Sequence, residues 1–166
     1  MIVRRMKQLA LAAIRATAVL SGSLVHGPNA AERAKPYRIE NGVVDADAFT
    51  GYLRYQGTCY WCHGEDGAGS SFAPSLVDSL KMLNRDQFRE IVINGGINNG
   101  RTNLPTSDVF VMPGFRTNPN IMCFLDDIHA YLKGGSDRVI ARGRPEHGPV
   151  TQVVEARGDA CLGFGS

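Results

Sequence analysis

The sequence predicts a mostly α-helical fold of three main helices in one domain, followed by a C-terminal tail. Three observations predict it. Three segments carry apolar residues at helical spacing, and no run alternates well enough to be read as a strand. The 19 glycines among 166 residues favour short helices joined by many turns. A chain of this length has room for one domain with modest extras.

The elements follow in chain order. Residues 1–31 read as a secretory signal peptide, with a basic head over 1–7, an apolar stretch over 9–25 and a small-residue exit at Ala30 and Ala31. Arg15 interrupts the apolar run and the exit lacks an Ala-x-Ala pattern, so cleavage is expected between Ser23 and Ala31. No stretch of about 20 uninterrupted apolar residues exists, and no stable membrane insertion is expected. The net charge of +2 is carried by the head: Arg4, Arg5, Lys7 and Arg15 precede the first acidic residue, Glu32, and the remainder is slightly acidic. No concentrated basic patch offers itself to a nucleic acid. A polar lead-in spans 32–42, the folded body 43–135, and the tail 136–166.

The first helix is predicted over 45–55, with Ala48, Phe49, Tyr52 and Leu53 as its apolar stripe and Gly57 as its stop. The second is predicted over 85–94. Asn84 is its N-cap, Gln87 completes a capping box, Gly95 ends it, and Phe88, Ile91 and Val92 face inward. The third begins at Pro119, a residue suited to a first helical turn, and ends at Gly134. Its buried stripe is Ile121, Phe124, Leu125, Ile128 and Leu132, with Asp126, Asp127 and Lys133 on the wet side. Residues 95–118, rich in Asn, Gly, Pro and Thr, form a loop long enough to need a function or a surface that ties it down.

Cys59-Tyr60-Trp61-Cys62-His63 has the spacing of a haem c attachment site. Two thiols add across the two vinyl groups of one porphyrin edge, and two intervening residues let one turn of chain present both sulfurs. The imidazole that follows binds iron. Composition alone would produce the pattern in about two of a thousand such chains. A redox dithiol wants a βαβ context, which is not visible. A zinc site wants a second ligand pair at matching spacing, whereas Cys123 and Cys161 stand 38 apart.

Met112, in Val111-Met112-Pro113-Gly114-Phe115, is the candidate for the sixth iron position. The following proline stiffens the loop, and a Met/His pair raises the iron potential, as suits an electron carrier. Met82, Met122, His129, His147 and an open site remain alternatives. Met82 is more simply a gap-filler, and Met122 and His129, seven apart within the third helix, are explained by packing. In an oxidising compartment Cys123 and Cys161 are expected to pair and dock the tail, the alternative being two free thiols.

Gly64 to Ser71 is a turn-rich passage and Ala73-Pro74 brings the chain back, a pattern that resembles class I cytochromes c. In that family a proline carbonyl accepts a hydrogen bond from the ligating histidine's other nitrogen, and Pro74 is the matching position. The run GTCYWCHGEDGAGSSFAPSLVDSL, the VMPGF and NIMCFLDDIHAYLKG segments, Ala141 to Pro145 and the terminal GDACLG resemble the cytochrome c-L group. That group accepts electrons from PQQ-dependent methanol and other alcohol dehydrogenases. The likeness covers about 51–145 and returns at the end, while 94–108 departs from it by its wealth of Asn and Gly. The resemblance implies a class I cytochrome c fold around one covalent haem c (iron held by His63 and Met112) and a periplasmic location. It also implies an electron carrier, not an enzyme, with a PQQ-dependent alcohol dehydrogenase as donor and a downstream cytochrome or oxidase as acceptor. A haem subunit of a larger oxidoreductase, or a haem enzyme or sensor with a displaceable ligand, is the alternative.

Overall fold

The computed structural model describes residues 35–97, 111–149 and 152–163. The expected signal segment over 1–31 and residues 98–110 of the long loop lie outside the described residues. The described chain runs β1 (Ile39–Glu40), β2 (Val43–Val44), α1 (Ala46–Thr58), α2 (Tyr60–His63), a 3₁₀ turn (Glu65–Gly67), α3 (Leu76–Ser79), α4 (Arg85–Asn94), β3 (Gly96–Ile97), β4 (Val111–Met112), α5 (Pro119–Met122), α6 (Leu125–Ser136) and α7 (Gln152–Leu162). Helices dominate, as the apolar spacing predicts. No described helix is long and apolar enough to cross a membrane.

Two short antiparallel ladders, absent from the sequence expectation, are present. In β1–β2, Ile39 pairs with Val44 and Glu40 with Val43. The two-residue turn between them is Asn41-Gly42, both at positive φ, the conformation that tight hairpins demand. In β3–β4, Gly96 pairs with Met112 and Ile97 with Val111, which closes the base of the long loop.

Asp45 caps α1, accepting from the Ala48 amide at 2.8 Å. Gly57 does not stop this helix. A glycine inside a helix costs only about 1 kcal/mol against alanine, and continuing the turn keeps the Cys59 amide bonded to the Tyr55 carbonyl at 2.9 Å. Leu53 also leaves the expected stripe and is 45% exposed, whereas Ala48, Phe49, Gly51 and Tyr55 are buried. Gly51 lies against α6 so closely that an added Cβ would stand 1.9 Å from the Asp127 carbonyl oxygen. Helix α4 has its predicted bounds and caps: Asn84 and Gln87 form a reciprocal capping box and Gly95 ends it, with Phe88 and Val92 buried but Ile91 exposed.

The predicted third helix is two. Cys123 closes α5, and Phe124 (φ −124°, ψ 20°) leaves helical geometry before α6 begins. The five stripe residues are nevertheless all buried. Phe124 lies beneath the Arg54 guanidinium, 4.0 Å from ring centroid to carbon, and α7 passes over its ring at Gly158. Asp127, expected on the wet side, is only 3% exposed. Its cover is α7, which the sequence did not announce. Arg157 of that helix reaches Asp127 at 2.6 Å and Asp47 at 3.2 Å.

The lead-in and tail share the body's core. Tyr37 and Ile140 are buried in it, and the Tyr37 hydroxyl donates to Asp137 at 2.7 Å. A disulfide joins Cys123 to Cys161 with Cα atoms 5.8 Å apart, tying α7 to the end of α5.

Burial pushes the Asp127 carboxyl up from 3.8 to about 7; the Arg157 charge opposes this, while Asp47, Asp126 and Asp45 add to it. With the folded value above the unfolded one, the fold favours the neutral acid. Its contribution is full below about pH 4 and is lost as pH rises towards 7. Asp127→Asn is therefore expected to gain stability relative to the unsubstituted protein between these limits, measured by denaturant unfolding at a series of pH values; parallel profiles would contradict it. Cys161→Ser is expected to cost about 4 kcal/mol by the loop it opens, with the visible spectrum unchanged.

Candidate functional site

Helix α1 runs without a break into the Cys-x-x-Cys-His pentad. Cys59 caps α1, and Tyr60–His63 form the single turn α2, ended by Gly64 at φ 71°. Continuous helical backbone sets both sulfurs on one side of one turn. Cys59 and Cys62 are free thiols, the first partly buried and the second exposed. Burial, helped by the neighbouring Cys62, pushes the Cys59 thiol up to about 11, so it is a neutral thiol at physiological pH. Trp61, between the cysteines, is 76% exposed.

His63 is 6% exposed. Its Nδ1 lies 2.9 Å from the Pro74 carbonyl oxygen. A carbonyl can only accept, so Nδ1 carries the proton and Nε2 keeps a free lone pair. Burial holds the imidazole below its usual pKa, partly opposed by this bond. The bond depends on the chain turning back. The Gly69 amide donates to the His63 carbonyl at 2.8 Å, the Ser70 hydroxyl to the Cys62 carbonyl, and the Ser70 amide to Ala73 at 3.0 Å. Asp66, at φ 56°, pins the same turn from outside. It accepts from the Gly143 amide at 3.1 Å, Tyr131 at 3.2 Å and the Arg142 guanidinium at 3.3 Å.

Cys59, Cys62, His63, Pro74 and Met112 all line one apolar cavity of about 660 Å³. No Asp, Glu, Lys or Arg is among its described lining residues. Ile121, Ile128 and Leu132 of the predicted third-helix stripe form part of its wall. Ile91, expected inward, is 38% exposed because it faces this cavity. Phe72, Leu76, Leu83 and Phe115 line it as well and were not singled out from the sequence; isolated apolar residues in loops and short helices carry no periodic signal.

The rival iron ligands lie elsewhere. Met82 is 87% exposed, so it fills no gap in the core, contrary to expectation. Met122 packs on the core. His129 is buried with its ring 5.2 Å from that of Phe88, and its Nδ1 has no hydrogen-bond partner among the described residues. His147 stacks on Phe49 at 3.5 Å. None of the four lines the cavity. Cys123 and Cys161 are not among its lining residues and are bridged to each other.

The donor set fits a haem c: two free thiols at the attachment spacing, an imidazole with one nitrogen pinned and the other free, a thioether, and an apolar enclosure of suitable size.

Comparison with known proteins agrees. The chain is 38% identical over 134 residues to cytochrome c-553I of Paracoccus denitrificans, covering 80% of this chain and 57% of that protein. It thus spans little more than half of that relative's length. It is 36% identical over 104 residues to cytochrome c-555 of Methylococcus capsulatus, covering 62% of this chain and 74% of the relative. The crystal structure of the c-type cytochrome XoxG from Methylobacterium extorquens AM1 superposes with a TM-score of 0.66 at 35% identity, over 76% of this chain and 75% of that one. No protein-family model matches the chain.

Proposed function

The chain belongs to the class I c-type cytochromes, and on that premise we propose that it is a periplasmic one-electron carrier, taking electrons from a PQQ-dependent alcohol dehydrogenase and passing them to a downstream cytochrome or oxidase. A c-type cytochrome holds its haem covalently. Here Cys59 and Cys62 would hold it through thioethers, His63 through Nε2 and Met112 through its sulfur. The bound haem supplies a one-electron couple at iron.

The protein's own part is positional and electrostatic. The Pro74 carbonyl fixes the ring orientation of His63 and raises the basicity of its free nitrogen. A thioether paired with an imidazole as iron ligands would raise the potential. The described cavity wall, apolar and uncharged, keeps the local dielectric low. One observation carries this proposal: a single cavity gathers both thiols, the oriented imidazole and one thioether, and among its described lining residues no carboxylate, lysine or arginine stands to do acid–base work on a substrate. That favours a carrier over a haem enzyme. The c-L resemblance supports the choice of donor. The signal pattern over 1–31 and the Cys123–Cys161 disulfide support an oxidising compartment.

Oxidised holoprotein mixed with purified PQQ-dependent alcohol dehydrogenases, one at a time with their alcohols, should be reduced by at least one of them; failure with all would remove the assigned donor. Met112→Ala should retain covalent haem while the reduced protein gains rapid carbon monoxide binding, and unchanged binding would remove Met112 from the iron.

A further inference from the structure

Met112 occupies the second position of a two-residue strand, and a two-pair ladder is too short to hold a side chain in register alone. Its place is set by a closer contact. Gly95 ends α4 at φ 79°, ψ −179°, a combination essentially confined to glycine. A Cβ on Gly95 would stand 2.5 Å from the Met112 carbonyl oxygen, 2.8 Å from the Gly114 nitrogen and 3.0 Å from the Pro113 carbonyl carbon. The fit is reciprocal, since a Cβ on Gly114 would stand 2.9 Å from the Ile93 carbonyl oxygen and 3.0 Å from that of Asn94. All of these neighbours are backbone and cannot swing aside. The Phe115 amide donates to the Val92 carbonyl at 2.9 Å, and Arg116 bonds the Asn94 side chain. Helix α4 is itself fixed at both ends of this chain of contacts, by its capping box and by buried Phe88 and Val92.

We infer that Gly95 and Gly114 are positioning residues for the Met112 thioether: their missing side chains let the C-terminal end of α4 and the Met112–Gly114 turn meet backbone to backbone, which sets where the sulfur sits in the cavity. The inference rests on Met112 being the sixth iron ligand. An iron–thioether bond is weak, so displacing the turn by the width of a methyl group releases it, although neither glycine touches the haem.

The test compares Gly95→Ala, Gly114→Ala and Met112→Ala holoproteins. Covalent haem is read by staining after denaturing electrophoresis and helix content by circular dichroism. Ligation is read by the weak red absorption band of methionine-bound ferric haem, the reduction potential and carbon monoxide binding. Both glycine variants should keep haem and helix content yet lose the red band, fall in potential and bind carbon monoxide rapidly, as Met112→Ala does. Native band and potential in both would overturn the inference while leaving the ligand assignment intact. A native band in Met112→Ala would overturn both, and is thus a distinguishable failure. If Gly95→Ala does not accumulate, Gly114→Ala decides, because steric overlap alone operates there. If neither accumulates, hydrogen exchange on the unsubstituted holoprotein decides. The Phe115 amide should lose protection together with the red band as denaturant is added, and loss of the band with that amide still protected would overturn the inference.

Discussion

The contact between Gly51 of α1 and the Asp127 backbone of α6 is the constraint on which the rest depends. Because the two helices meet without an intervening side chain, the end of α1, and with it the pentad, is held at a set distance from Ile128 and Leu132. Those residues wall the cavity from the α6 side. Had α1 ended where its glycine at 57 invites a stop, Cys59 would begin a loop instead of continuing a helix, and the two sulfurs would not share one turn.

Around that crossing, three further segments are brought to the cavity by backbone contacts more than by side chains. The turn after His63 folds back on the carbonyls of Cys62 and His63, which delivers the Pro74 carbonyl to the imidazole. Asp66 fastens this turn to the tail at Gly143, so a segment that looks peripheral in sequence steadies the His63 side of the cavity. The methionine side is steadied by the end of α4. Such reliance on carbonyls and amides suits a site whose described walls carry no charge, since every polar group near it must find its partner locally.

What the sequence disclosed and what it concealed divide along physical lines. The pentad and the Asn84–Gln87 box are local chemistry, complete within five residues, and both were legible. The apolar stripe over 121–132 identified buried residues correctly and still hid the break at Phe124, because a stripe records burial and not backbone angles. Asp127 was misplaced because its cover comes from α7, and that helix is docked by a disulfide and by Arg157 instead of by a long apolar face. The Asn41-Gly42 hairpin had its turn signal in plain view, but strands of two residues offer no alternation to find. Gly95 reads from sequence as an ordinary helix terminator, and only three-dimensional proximity shows which backbone it admits.

The placement of Trp61 has a practical consequence. It is the chain's one tryptophan, adjacent to Cys62 and on the lining of the cavity. A porphyrin in that cavity accepts excitation from a neighbouring indole, so light emission from this single fluorophore is quenched in the mature protein and returns wherever the polypeptide lacks its pigment. The molecule thus carries its own gauge of maturation, readable on the purified protein without any added dye.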